Sequence, residues 1–367
     1  MTRPHTAGRR SRRLFRVVAL VGAGALALAA CGSAGELNST EDESALTVGL
    51  ILEGPKNDKA FNESAYSGVL NAAKDNPDVV LKSTLENRHS TQEQTDAVGT
   101  LAPIVDVVVA AGAQFGPIFD VEAPKFPDTK FVTIGGYPAK HHDNVYSLAF
   151  DRVAAYVVGA IAVELTDSKT VGFLGGADIP PTNASMAAFK AAVADADPSV
   201  KVLSNIVGDF NDVSKAKAAT AAMIADGADV LMSYLDAGVV GSYAAAQESG
   251  KDIPIFKLDL LECDAYPNIV GANVGDNTAA VETMLGGLAT DTLEPAGVTI
   301  FAGLEDPKLQ RVDLCPRYAE DPVVADLAQK TVAGILDGTI ALPEEALNPR
   351  PEGPYRLGID GPVKNAG

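Results

Sequence analysis

The chain has 367 residues, and 48 Asp and Glu outnumber 29 Lys and Arg to give a formal charge of −19. A surface of that sign repels nucleic-acid phosphates and anionic headgroups, so no nucleic-acid partner is expected and a strongly anionic ligand is disfavoured. Three cysteines and four histidines, not clustered together, are too few for a structural zinc site, and no metal or other cofactor is expected.

Residues 1–16 hold six arginines and no acid, and an apolar run from Val17 to Ala30 follows. A run of that length falls short of the roughly 20 residues needed to cross a bilayer, so residues 1–30 read as an export signal. The run ends in Leu28-Ala29-Ala30-Cys31, which resembles the lipobox of bacterial lipoproteins. The resemblance implies acylation of Cys31 and a membrane anchor built from two or more acyl chains. Ser11-Arg12-Arg13-Leu14-Phe15 also resembles a twin-arginine signal, and export by the general route stays open beside it. Without residues 1–30 the charge is about −25. Residues 31–44 are small, polar and acidic after the cysteine, the composition of a flexible tether.

From Ala45 the chain alternates strand and helix. Strands are predicted at Leu46–Leu52, Val79–Lys82, Val105–Ala111, Lys130–Ile134 and Val145–Ala149, with helices near Asn62–Lys74, Thr91–Leu101 and Arg152–Leu165. The rhythm restarts with strands at Thr170–Gly175, Val200–Ile206, Asp229–Ser233 and Ile253–Leu258 and helices near Thr182–Ala194, Val213–Asp226 and Val239–Ser249. Near-continuous apolar strands between helices indicate parallel sheets covered on both faces. The expected architecture is α/β, with two doubly wound lobes joined by a hinge. Residues 45–150 with about 273–303 make the first lobe, and 151–272 with about 304–360 the second. Ligands of open α/β sheets sit beyond the carboxyl ends of the strands, which directs attention to the loops after Leu52, Ala111, Ile134, Ser233 and Leu258.

Those loops carry motifs. Asp58-Lys59-Ala60-Phe61-Asn62 resembles the D-x-x-F-N signature of the basic membrane lipoprotein family, the nucleoside-binding receptors of ABC importers. Val171–Gly176, the Lys215–Val230 helix and strand, Ala237-Gly238-Val239-Val240-Gly241 and Ala333–Ile340 are similar to further motifs of that family, in its order. The resemblance spans roughly Val48 to Pro343. It implies a type I periplasmic-binding-protein fold with three crossings between lobes and a solute held between them. It further implies that Phe61 stacks on a nucleobase, Asn62 bonds the base edge, Asp58 shapes that loop, Tyr234 stacks opposite, and Asp259 grips ribose hydroxyls.

The chemistry suits those roles: an aromatic face binds a base at about 1–3 kcal/mol, and a carboxylate accepts two hydroxyl hydrogen bonds. Phe115 and Asp236 join the candidate ligand residues by position, with loop packing and helix capping as their alternatives. Two positions depart from the family pattern. Gly135 stands where the family places an acid after the fourth strand, and Gly275 where it tends to have a lysine. The solute class is therefore left open by the sequence.

Cys263 and Cys315 are read as a candidate disulfide, with two separate thiols as the alternative. His141 and His142 are expected to face solvent. Neither a phosphate-binding G-x-x-x-x-G-K-[ST] loop nor a G-x-S-x-G nucleophile elbow occurs, and the chain is expected to bind without catalysing. The expected partners are a small neutral solute, an ABC permease and, through the lipid, the membrane, with the protein itself a monomer. A receptor or sensor for sugars, or an anchored nucleoside-processing enzyme, is the alternative.

Overall fold

A computed structural model describes residues 45–293 and 296–364. These all fall within one unit, Asp42–Gly367. The signal, Cys31 and the tether lie outside the described residues.

The first half supplies strands β1 (Leu46–Leu52), β2 (Val79–Leu85), β3 (Val107–Ala111), β4 (Lys130–Ile134) and β5 (Val145–Phe150). Between them run helices α1 (Phe61–Asp75), α2 (Thr91–Leu101) and α3 (Phe115–Glu122). Helix α2 starts where the sequence dictates: Ser90 and Glu93 form a reciprocal capping box. Helix α4 (Ala154–Leu165) then leads to the second set, β6 (Thr170–Gly175), α5 (Pro180–Ala196), β7 (Lys201–Ile206) and α6 (Val213–Ala225). The set is completed by β8 (Val230–Tyr234), α7 (Val239–Glu248), β9 (Ile255–Leu258) and β10 (Ile269–Gly275). The last third holds α8 (Asn277–Ala289), β11 (Thr299–Ala302), β12 (Gln310–Leu314), α9 (Pro316–Ala319), α10 (Pro322–Asp337) and β13 (Tyr355–Leu357).

Among the described residues these strands form two sheets, ordered β13-β11-β5-β4-β3-β1-β2 and β12-β10-β9-β8-β6-β7. Pairing is parallel except at β12, which runs antiparallel to β10 at its edge. Each half thus repeats one doubly wound order. The order reverses between β1 and β3 in the first sheet and between β6 and β8 in the second. Such a switch point leaves a crevice at the carboxyl ends of the strands. Val48 and Leu50–Leu52 in β1 are fully buried, as are Val107–Ala111 in β3. This burial is the counterpart of their unbroken apolar sequence.

The lobe boundaries need one correction. Residues 304–360 were expected in the second lobe, yet β13 pairs in parallel with β11 of the first sheet. Tyr355 packs edge-on against Phe301 there, ring centroids 6.0 Å apart. The returning strand covers what would otherwise be an exposed apolar edge. The described chain therefore passes between the sheets four times, after β5, β10, β11 and α10, where three crossings were expected. Helix α3 was not anticipated either.

Cys263 and Cys315 are joined, with Cα atoms 5.6 Å apart and a sequence separation of 52. The bridge ties the loop after β9 to the end of β12. His142 does not face solvent: its Nε2 lies 2.9 Å from Asp120 Oδ1 and both side chains are largely covered. That same carboxylate accepts from the backbone N–H groups of Ala139 and Lys140, so the pair fastens a loop.

Candidate functional site

The two switch points face one another across a cavity with about 420 Å³ of empty space, part of it open toward solvent. Glu53 (after β1), Gly112–Gln114 (after β3) and Gly135 (after β4) wall one side. Pro181 and Thr182 at the start of α5, Phe210 (after β7), Tyr234 (the last residue of β8), Asp236 just beyond it and Leu258 wall the other.

Phe61 is the first residue of α1 and is held in place by its neighbours. The Asp58 carboxylate accepts the backbone N–H of Ala60, Asn62 and Glu63 at 3.0–3.1 Å and the Asn62 side-chain N–H at 2.7 Å. It satisfies the free donors at the start of the helix and complements the helix dipole. The Asn62 carbonyl oxygen accepts from the Gly54 N–H at 3.2 Å. Both ends of this amide are engaged within the loop, and Asn62 is 1 % exposed. Asp58 and Asn62 therefore lie behind the cavity wall. The expected contact between Asn62 and a base edge is not what the geometry offers, because no free amide group points into the space.

Phe61 does reach the cavity. It packs partly against the core of the first sheet and also lines the empty space. Its ring crosses close over Gly135, where a first side-chain carbon would lie 3.1 Å from Phe61 Cζ. Gly135 also has φ +80°, a conformation that favours glycine. The missing acid at 135 thus coincides with a ring occupying its place.

Phe115 does not belong to the site. It is fully buried in α3, in a cluster with Phe119 and Phe131. Its apolar side chain turns into the first lobe, and its neighbour Gln114 takes the cavity position instead. Tyr234 lines the cavity but is 2 % exposed. It stacks on Phe173 at 5.7 Å, so most of its ring serves the core of the second lobe. The half-buried Phe210 supplies the more open ring on that side. It packs over Gly176, where a first side-chain carbon would fall 2.2 Å from its ring. Gly176, directly after β6, thus admits an aromatic to the cleft.

Asp236 lines the cavity, while Asp259, the residue after Leu258, lines an adjoining space with Ser64, Gly275 and Arg311. One Asp259 oxygen accepts from the Gly275 N–H at 3.3 Å, while Oδ2 has no partner, and Asp236 Oδ1 has none either. Burial pushes the Asp259 carboxyl up to about 7, against the opposing pull of Arg152. Burial also drives Asp236 well above the carboxylate range, helped by the nearby Asp58, Asp259 and Glu53 charges. Glu53, from the opposite lobe, is raised as well, first by burial. Three acids with unfavourable charged states lie near one another, Glu53 and Asp236 in the cavity wall and Asp259 in the space beside it, where free carboxyl oxygens suit a solute rich in donors.

Sequence reading missed Arg152, Glu53, Gln114 and Phe210. Arg152 was assigned to the opening of a helix, where arginine is ordinarily solvated. It is instead 5 % exposed, in the turn between β5 and α4, and lines the cavity. The paired glycines at 175 and 176 were the available signal for Phe210. Among the described residues no cluster of side chains fit to hold a metal ion occurs, and no helix is long and apolar enough to cross a membrane.

Comparison with known proteins agrees with this architecture. The profile of the family described as "ABC transporter substrate-binding protein PnrA-like" matches residues 45–331. Basic membrane protein A of Borreliella burgdorferi is 27 % identical over 286 residues, covering 75 % of this chain and 80 % of that one. The ABC transporter nucleoside-binding protein BmpA of Lactococcus lactis subsp. cremoris is 27 % identical over 205 residues, covering 53 % and 57 %. A solved solute-binding protein of an ABC transporter system from Aeropyrum pernix K1 superposes with a TM-score of 0.73 at 19 % identity, covering 82 % of this chain and 94 % of that one.

Proposed function

Because the chain belongs to the family of PnrA-like ABC transporter substrate-binding proteins, we propose that the solute it delivers is a neutral nucleoside, held between the lobes and released to a permease without chemical change. The family is extracytoplasmic and non-enzymatic. The nucleoside assignment rests on one observation: Phe61 and Phe210, from opposite lobes, line a cavity that also holds the acids Glu53 and Asp236, with the buried Asp259 in the adjoining space. A base supplies a flat apolar surface for the rings, and a ribose supplies hydroxyl donors for the carboxyl oxygens left without partners. An anionic solute would meet Glu53 and Asp236 in the wall, with Asp259 close behind, which the charge of these acids opposes.

Phe61, Tyr234, Asp236 and Asp259 remain the proposed ligand residues, with Phe210 and Glu53 added. Asp58 and Asn62 are proposed to position Phe61. Acylation of Cys31 is proposed as the anchor, and a monomer as the working state. The test is a thermal-shift panel of nucleosides, free sugars and amino acids on the purified protein, followed by titration calorimetry. At least one nucleoside should raise the melting temperature, and Phe61→Ala should remove that rise. A panel in which only free sugars bind, unaffected by Phe61→Ala, sinks the nucleoside reading and leaves a sugar receptor.

A further inference from the structure

Arg152 has no counterpart in the roles assigned so far. The residue is buried and lines the cavity, and its Nε has no hydrogen-bond partner. The adjacent acid is unavailable, because Asp151 already accepts both Nη atoms of Arg350 at 2.7 and 2.9 Å. Lys257, the other buried cation near the cleft acids, is engaged with Glu262 at 3.2 Å and with the Lys59 carbonyl across the cleft at 3.4 Å. Arg152 forms no ion pair among the described residues, although Asp259 is near enough for the two charges to feel each other.

The guanidinium lies against two rings, 5.2 Å from the centroid of Phe150 and 5.9 Å from that of Tyr234. Its Nη1 occupies the space over Gly275, 3.1 Å from where a first side-chain carbon there would stand. The N–H of the same Gly275 bonds Asp259 Oδ1. Arg152 and Asp259 thus flank one glycine without closing to ion-pair distance, one with an unsatisfied donor and the other with an unsatisfied acceptor. A buried cation and anion held apart in this way destabilise the empty protein, unless a third group comes between them.

A hydroxyl is that group. Its oxygen accepts from a guanidinium while its proton goes to a carboxylate, whereas an amine offers the cation nothing and a carboxylate is repelled by the acids. We propose that Arg152 is a specificity-determining residue, which with Asp259 reads a hydroxyl at the sugar end of the solute. This deepens the nucleoside reading and rests on it. The planar fork of Arg152 fixes where that oxygen must sit, in a way a flexible ammonium would not.

The experiment compares ribonucleosides with their 2′- and 3′-deoxy counterparts, and free sugars with deoxy sugars, on wild type, Arg152→Met and Arg152→Lys by titration calorimetry. Wild type should disfavour one deoxy form by at least about tenfold, since a site built to bond a hydroxyl is left with unpaired groups without it. Arg152→Met should flatten that ratio to within about threefold, and Arg152→Lys should restore part of it. Unchanged discrimination in Arg152→Met overturns the proposal, as does a lower melting temperature with the ratio intact. If only free sugars bind, the nucleoside reading falls while the deoxy-sugar comparison still decides the role of Arg152. If no hydroxylated solute binds at all, both fall.

Discussion

Replacing Asp259 by Asn tests the electrostatics of the cleft directly. The residue sits at φ +56°, a left-handed conformation that Asn tolerates better than most side chains, so the backbone should be preserved. Asn also keeps an oxygen to accept the Gly275 N–H. Burial raises the Asp259 carboxyl from 3.8 to about 7, a rise worth about 4 kcal/mol between the two protonation states. The folded form therefore binds the proton more tightly than the unfolded chain. Below about pH 4 both states are protonated and the group costs nothing. As the pH rises from there to about 7 the unfolded state ionises and the folded state resists, so stability is lost across that interval. At pH 8 the empty wild-type protein carries the full penalty, and Asp259→Asn removes it. Thermal melts of the empty protein between pH 4 and 8 should show the variant about 5–10 °C more stable than wild type at pH 8. The two should converge toward pH 4. Glu53 and Asp236 also contribute to the wild-type slope, so the difference between the two proteins isolates Asp259. Parallel melting curves from pH 4 to 8 would show that Asp259 is not a strained acid, and would remove the basis for a free carboxylate awaiting a hydroxyl.

The remaining expectations separate structure from recognition. Phe115→Ala should cost about 3–5 kcal/mol of stability by emptying the α3 cluster, while solute affinity measured below the melting range stays within a few fold of wild type. Phe61→Ala should do the reverse, losing about 1–3 kcal/mol of binding with a smaller effect on melting. Removing the bridge with Cys263→Ser and Cys315→Ser together should cost about 4 kcal/mol, from the 52-residue separation it closes. Denaturant unfolding of the wild type with and without a reductant, beside the variant, measures that cost, and a wild-type protein insensitive to reductant would argue against it. Cys31→Ser should release the protein from the membrane fraction into the soluble extracytoplasmic fraction on cell fractionation. Continued partition into detergent would exclude Cys31 as the anchor.

Most of the α/β frame was legible because parallel strands buried on two faces have little freedom in composition. Leu46–Leu52 and Lys130–Ile134 could be delimited from their apolar runs alone. The order of lobes was legible up to the third crossing. It failed at Tyr355–Leu357, where a strand of three residues carries no periodicity and is specified by the edge it covers. Helix α3 escaped because its residues, Phe115–Glu122, form only about two turns and include a proline and a glycine. The site was legible as a set of loops rather than as a set of contacts. Sequence motifs located the D-x-x-F-N loop, but offsets of three and four residues along a chain do not reveal which side chains face outward. Asp58 and Asn62 spend their hydrogen bonds on each other and on the loop, and only Phe61 is presented. Phe115 was misplaced for the related reason that a phenylalanine next to a cleft loop serves the core by default.

The two departures from the family pattern have a common physical form. At Gly135 and at Gly275 a side chain is absent from the wall, and in each case a group from elsewhere in the sequence stands in the vacated space: the Phe61 ring over the first, the Arg152 guanidinium over the second. A glycine beside a binding cavity is therefore poor evidence of lost chemistry. Close packing refills the volume, and the refilling group brings its own donors, acceptors or rings. At 135 a charge has given way to an apolar surface, which favours the flat part of a solute. At 275 the space holds a cation that is fixed rather than flexible, set against an acid left with a free oxygen. On the proposed reading the cleft separates into an aromatic end and an end that reads hydroxyls. That polarity, more than any single residue, is the physical ground for proposing a solute with one flat half and one sugar half.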